Sequence, residues 1–238
     1  MKIVVGVPCR DEVHTSFTHD LVMAIATHQR NHPDDEVILS MKRGTLIADQ
    51  RHELAKKALI EEADYLLMLD SDMRFPPDII QQMVSRDKDI LAACSSTRKH
   101  PVKTNAFRSI RPSLHLWIRE DSTGLHEVAA VGTAIMLIKT DVFRNMELPF
   151  FDIVWDDYFK NFMGEDVYFC ARAMQSGYKI FVDQDLSHHI KHTGNYEFSH
   201  DDAIMNEEDD EEVINEFIEL RKQLDERDEL RRTEVNDS

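Results

Sequence analysis

Asp70 and Asp72 stand two residues apart, directly after the apolar run Tyr65–Leu69. Such a run reads as a buried strand. In open α/β sheets, ligands bind outside the carboxyl ends of such strands. Two carboxylates this close repel each other unless positive charge lies between them. A divalent hard cation that also takes phosphate oxygens meets that need. A strand end followed by an aspartate-rich turn fits the same residues without any ligand.

Three later segments add chemistry. Gly132-Thr133 stands at the mouth of the apolar run Ala134–Ile138. A glycine there marks either close backbone approach to a ligand or a bulge. Glu165 and Asp166 open a helical stretch. Acidic residues favour a first turn through the helix dipole, and a carboxylate so placed can also act as a general base. His188, His189 and His192 then cluster within five residues. A lone histidine is usually structural, whereas this cluster points to a metal ligand or a proton-handling group.

The elements that must position these residues follow from pattern. Short β-branched or apolar runs at Lys2–Val7, Glu36–Ser40, Tyr65–Leu69 and Asp89–Cys94 alternate with amphipathic stretches at Ser16–Arg30 and Leu46–Glu62. A further helix is opened by Pro76 and Pro77, and Ser16 is the expected cap of the first. This alternation favours a parallel sheet with helices on both faces. Strands are expected at Val102–Arg119, Glu127–Ile138 and Tyr178–Val182, with helices at Thr140–Met146 and Glu165–Ser176, the latter closed by Gly177. The spacing of Val213, Phe217, Leu220 and Leu224 predicts an amphipathic helix over Val213–Arg232.

The charge is uneven. The 238 residues hold 45 acids and 28 bases, a net of −17. Residues 201–238 carry sixteen acids against five bases, so the first 200 residues hold only −6 of that total. This divides the chain into a domain over 1–200 and an acidic, helical extension over 201–238. The acidity argues against binding nucleic acid through net charge. The three cysteines are dispersed and form no CxxC pair, which favours a reducing compartment. No apolar run is long enough for a membrane span or a signal peptide, so a soluble, cytoplasmic protein is expected.

Over residues 2 to 195 the order of motifs resembles the GT-A class of nucleotide-sugar glycosyltransferases, near the inverting family-2-like members. Pro8-Cys9-Arg10-Asp11-Glu12 is similar to the first-strand loop that holds the nucleotide, with Pro8, Arg10 and Glu12 as its candidate contacts. Asp70-Ser71-Asp72 is similar to the metal-binding Asp-x-Asp. Gly132-Thr133 is similar to the glycine loop near the acceptor. Gly164-Glu165-Asp166 is similar to the motif whose aspartate is the catalytic base. His192-Thr193-Gly194 is similar to the segment whose histidine helps hold the metal. No Gln-x-x-Arg-Trp follows, which speaks against a processive synthase.

The resemblance implies a GT-A type α/β fold, with a Rossmann-like, mostly parallel central sheet and a C-terminal helical extension. It implies Mn²⁺ or Mg²⁺ at Asp72 and His192 with Asp70 close by, and a UDP or GDP sugar as donor. The acceptor would be a glycan or other hydroxyl compound, deprotonated by Asp166 and oriented by Glu165. Ser71, Gly132, Thr133 and Arg51 join the expected donor contacts, and Asp70 has a second expected role, a hydrogen bond to the donor ribose or sugar. Arg51 has a second reading, a surface salt bridge with Asp49 or Glu53. Trp155, Tyr158 and Phe159 either stack on an acceptor sugar or pack the core. The C-terminal helix packs on the domain or on a second subunit. An Asp-x-Asp phosphatase and a non-catalytic nucleotide-sugar-binding module are the rival functions.

Overall fold

The computed structural model describes residues 1–98, 101–119, 121–194, 197–200 and 207–236. The first half runs β1 (Lys2–Cys9), α1 (Thr15–Asn31), β2 (Glu36–Arg43), α2 (Ile47–Ile60), β3 (Tyr65–Leu69), β4 (Met73–Arg74), α3 (Ile79–Ser85) and β5 (Ile90–Ala92). The second half begins with β6 (Ala106–Ser109), β7 (Leu114–His115), β8 (Leu125–Val128), β9 (Ala130–Val131), β10 (Ile135–Lys139) and α4 (Thr140–Arg144). It continues with β11 (Val154–Asp156), β12 (Asn161–Met163), α5 (Glu165–Gln175), β13 (Ile180–Asp183) and α6 (Gln184–Ser187). It ends with β14 (Lys191–Thr193), β15 (Glu197–Ser199) and α7 (Glu207–Asn236).

Seven strands form one sheet in the order β2-β1-β3-β10-β5-β13-β8. β1 pairs in parallel with β2 and β3, and β5 with β13. β10 lies antiparallel between β3 and β5, and β8 is antiparallel on the edge beside β13. Five strands therefore share one direction and two oppose it. The central strands are buried on both faces, which explains their unbroken apolar sequence. In β3, Leu66 and Met68 pack with Leu54 and Ala58 of α2, while Leu67 and Leu69 pack with Phe17 of α1 and Ile79 of α3. Helices thus cover both faces, in agreement with the mostly parallel α/β architecture expected.

Several boundaries differ from the expectation. Helix α1 begins at Thr15 with His14 as its N-cap and no side-chain cap bond, so Ser16 lies inside the first turn. Pro76 and Pro77 precede α3 rather than open it, and the Ile79 amide donates to the Pro76 carbonyl in a turn. The segments expected as single strands at Val102–Arg119 and Glu127–Ile138 are broken into β6–β7 and β8–β10. The chain turns corners there to serve two sheets, with β8 and β10 in the main one and β7-β6-β9 forming a small one of its own.

The extension packs on the domain instead of standing apart. The buried Asp210 of α7 accepts from Arg108 and from the Trp117 indole N–H. Phe217 stacks on Tyr158 at 5.4 Å between ring centroids, and Arg221 donates to the Tyr158 carbonyl at 2.6 Å. The expected start of the extension, at residues 201–206, lies outside the described residues. Among the described residues, no helix is long and apolar enough to cross a membrane.

Candidate active site at the carboxyl edge of the sheet

Asp70 follows the last residue of β3, and its amide donates to the Ala134 carbonyl at 2.8 Å, just before β10. Because β10 runs against its neighbours, Gly132-Thr133 arrives at the edge where β1, β3 and β5 end. The turn Asp70-Ser71-Asp72 then leads into β4, and β4 pairs antiparallel with β14 so that His192 lies opposite Met73. The Thr193 amide donates to the Asp72 carbonyl at 2.8 Å. A two-residue strand thus brings His192 to Asp72 across 120 positions of sequence.

Two charge clusters flank this turn. In the first, Arg51 donates through Nη2 to both oxygens of Asp70, at 2.9 and 3.0 Å, and through Nη1 to Glu165. Arg51 is 4% exposed, so the expected alternative of a surface salt bridge is overturned. It shares the inward face of α2 with Ala48, Ala55 and Ala58, which drives its guanidinium under the sheet edge. Its Nε has no hydrogen-bond partner. Burial alone would lower the Arg51 pKa, but the charges of Asp70 and Glu165 raise it, so the cation is held firmly. Burial pushes the Glu165 carboxyl up, and the negative charges of Asp166 and Asp70 add to this against the pull of Arg51. One guanidinium cannot fully neutralise three carboxylates.

In the second cluster, His192 Nε2 lies 3.3 Å from Asp72 Oδ2, and Arg98 Nη1 lies 2.9 Å from the same oxygen. His192 Nδ1 sits 2.9 Å from the Ser96 carbonyl oxygen, which only accepts. Nδ1 therefore carries the proton. Nε2 then faces the carboxylate either as a lone pair or as a second N–H. The first is stable only with a cation between them, and the second requires imidazolium. Burial raises the Asp72 pKa, but the hydrogen bond and charge of His192, with Arg98, hold it below the usual carboxylate range. Burial lowers that of His192, and Asp72 outweighs it, so the imidazole is shifted upward.

This pair fits part of a metal shell. One carboxylate oxygen and one imidazole nitrogen suit Mn²⁺ or Mg²⁺ when the remaining ligands are phosphate oxygens and water. Among the described residues, no group of three or more His, Cys, Asp or Glu is placed to hold a metal ion by itself. Asp70, expected close to the metal, is instead closed off by Arg51. His189 is exposed, and among the described residues the side chains that contact Asp72 are His192 and Arg98.

Other expected residues divide. Pro8 is buried in β1, whereas Arg10 and Glu12 are exposed. Among the described residues Arg10 pairs with Asp11, at 3.7 Å, and neither Arg10 nor Glu12 contacts either cluster. The Ser71 carbonyl accepts from the His14 amide at 3.2 Å, tying the turn to α1. Gly132 has a steric reason to be glycine, since a Cβ there would run into the Asn105 side chain. Asp166 Oδ1 accepts from the Val167 amide at 2.7 Å, and a Cβ on Gly164 would sit 3.0 Å from that oxygen. The hydroxyls of Ser96, Thr133 and Thr193 are buried and have no hydrogen-bond partner among the described residues. Buried polar atoms left unpaired call for a missing partner.

Sequence reasoning missed Arg98, Ser96 and Asn105. Ser95 to Arg98 follow β5 as Asp70 follows β3, so the strand-end rule points to them too. Asn105 gave no signal. It is defined by contacts, with Oδ1 accepting from the Ser95 amide at 3.1 Å and Nδ2 donating to Ser95 Oγ at 2.6 Å.

The family model described as Anp1 matches residues 18–123 of this chain, under half its length. The match includes Arg51, Asp70, Asp72 and Arg98, and stops before Gly132, Glu165, Asp166 and His192. No curated protein matches. Among solved structures, A197 from STIV has a TM-score of 0.56 at 18% identity, over 87% of this chain and 95% of that one. TarS from S. aureus gives 0.44 at 16% identity, over 78% of this chain and 58% of that one. A glycosyltransferase involved in the glycosylation of the major capsid of PBCV-1 gives 0.33 at 11% identity, over 60% and 62%. This chain spans less than two thirds of either of the last two. The mixed, mostly parallel α/β sheet agrees with the architecture expected, the chain shares its fold with A197 from STIV, and it is similar to the Anp1 family over residues 18–123.

Proposed function

We propose that the protein is a glycosyltransferase that moves a sugar from a UDP or GDP donor to a hydroxyl of a glycan or other acceptor, with inversion. The observation that carries this reading is the Asp70-Ser71-Asp72 turn, held between Arg51 with Glu165 on one side and His192 with Arg98 on the other. A phosphatase needs a free nucleophilic carboxylate. Both oxygens of Asp70 are engaged by Arg51, which disfavours that rival.

Asp72 and His192 would hold Mn²⁺ or Mg²⁺, which would neutralise the diphosphate and the charge growing on the leaving nucleotide. Arg98, at the same carboxylate, adds a second positive group for phosphate oxygens. The unpaired Ser96, Thr133 and Thr193 hydroxyls supply hydrogen bonds to donor oxygens. Asp70 serves as a brace that fixes Arg51. Asp166 accepts the proton of the attacking hydroxyl, and Glu165 orients the acceptor from its place beside Arg51.

Thermal stabilisation by UDP or GDP in the presence of Mn²⁺ is expected in the wild type and should disappear in Asp72→Ala and His192→Ala. Asp166→Asn should keep donor binding while transfer falls by about 10²- to 10⁴-fold. Absence of any nucleoside diphosphate binding in wild type would overturn the reading. Undiminished transfer by Asp166→Asn would move the base elsewhere.

A further inference from the structure

A pocket of about 280 Å³ lies beside Gly164, away from Asp72. Its walls include Phe107, Phe159, Phe162, Met163 and Val167 of the domain and Leu220 of α7. Its one carboxylate, Asp156, is already committed to Arg111 and to the amides of Tyr158 and Phe159. Asn161 turns its side-chain oxygen to the Phe162 amide at 2.8 Å. Ser113 and the Asn161 amide nitrogen are the polar side-chain groups left to meet a ligand, so a sugar ring entering such a space would leave most of its hydroxyls without partners, a desolvation cost that an apolar group does not carry. The volume is slightly below the roughly 300 Å³ at which whole-ligand pockets begin, so it suits a substituent of a larger molecule.

The position says which molecule. Gly164 and Val167 line the pocket, and between them lie Glu165 and Asp166. Asp166 Oδ1 stands 3.0 Å from the place a Gly164 Cβ would occupy, so the missing side chain leaves the way open from pocket to carboxylate. The rim also carries exposed aromatic surface. Trp155 and Phe162 are cross-strand partners in the β11-β12 hairpin, 52% and 66% exposed, with ring centroids 5.4 Å apart.

We infer that this pocket binds an apolar aglycone, an alkyl or aryl group carried by the acceptor, with α7 closing one side of it. The inference rests on the reading of Asp166 as the acceptor-side base. The acceptor hydroxyl then lies at Asp166 while its apolar portion lies under Leu220 and Phe162.

The test uses the full-length protein and a series of methyl, butyl and hexyl β-glucosides, with binding measured by calorimetry. Affinity is expected to rise up to about fourfold per added methylene until the pocket is filled. Leu220→Asp and Phe162→Ser change side chains that are 52% and 66% exposed, and both should flatten that rise. Affinity that is independent of chain length, or a rise unchanged in both variants, would overturn the inference. A parallel UDP and GDP titration with Mn²⁺ separates the two readings. Chain-length dependence without nucleotide binding would leave the pocket standing and remove the transferase. Nucleotide binding without chain-length dependence would do the reverse.

Discussion

Arg51 Nη2 lies 2.9 and 3.0 Å from the two carboxylate oxygens of Asp70, so one guanidinium nitrogen is shared by both oxygens of the carboxylate at the end of the central strand. Removing the arginine strands two carboxylates in a site with little water. Arg51→Ala should lose about 3–5 kcal/mol in urea denaturation, the usual cost of breaking a buried pair from one side. Asp70→Asn in that background should recover part of the loss, giving a coupling of about 1–3 kcal/mol. Arg51→Lys should not substitute well, because a single ammonium nitrogen cannot span Asp70 and Glu165 as Nη2 and Nη1 do. Strictly additive effects would show that the pair is not coupled.

Gly132→Ala is expected to destabilise by about 1–3 kcal/mol through overpacking. The new methyl would meet Asn105, whose side chain is held at both ends by Ser95 and cannot swing aside cheaply. Asn105→Ala should relieve the clash, so the double variant should be little worse than Asn105→Ala alone. A Gly132→Ala protein as stable as wild type would rule out the close approach.

Acid sensitivity should trace in part to Asp20. Its carboxylate accepts from Arg74 Nε at 2.6 Å and joins α1 to β4, next to the aspartate turn. Burial raises its pKa, but the hydrogen bonds from Arg74 and His19 outweigh burial and leave it lowered. A carboxyl lowered on folding contributes fully above the unfolded value, about 3.9. Its contribution declines as pH falls through the lower folded value. Asp20→Asn should therefore be less stable at neutral pH, by about 2 kcal/mol, with the gap to wild type closing below about pH 4. A gap constant from pH 7 to 2 would refute the assignment.

Asp210 should fasten α7. It is buried and accepts from both Arg108 and the Trp117 indole, so Asp210→Ala leaves two donors unmatched. A loss of about 1–3 kcal/mol is expected. Limited proteolysis should cut between residues 207 and 236 sooner than in wild type. Unchanged cleavage would mean that the helix is held by Phe217 and Arg221 alone.

β1, β3 and β5 were legible because they are buried on both faces and leave an apolar run whatever their partners. Tyr65–Leu69 is found with the bounds expected. The segment from 127 to 138 was not, because an apolar run says nothing about which sheet receives it. Val128 pairs with β13, Val131 with β6 and Met136 with β3 and β5. The Asp-x-Asp turn and His192 were visible as residue types, but their meeting depends on a two-residue ladder between β4 and β14 that no periodicity reveals. Arg51 could have been read correctly. It falls on the same helical stripe as Ala55 and Ala58, and an arginine on an inward face needs carboxylates to receive it.

The chain leaves β5 and later enters β10 at nearly one point, where the Ala93 amide donates to the Ile135 carbonyl at 3.1 Å. Everything between those residues is therefore an excursion whose two feet are clipped together. It lends β8 to the far edge of the sheet and supplies Phe107 to the pocket beside Gly164. Ser96, Arg98 and Thr133 stand at its two feet, and because loop-closure entropy grows only slowly with length, the part beyond them can be lengthened without displacing those contacts. Asp70, Asp72 and Arg51 all lie outside it, so descendants of this fold can change what they accept while keeping the strands that carry the aspartate turn.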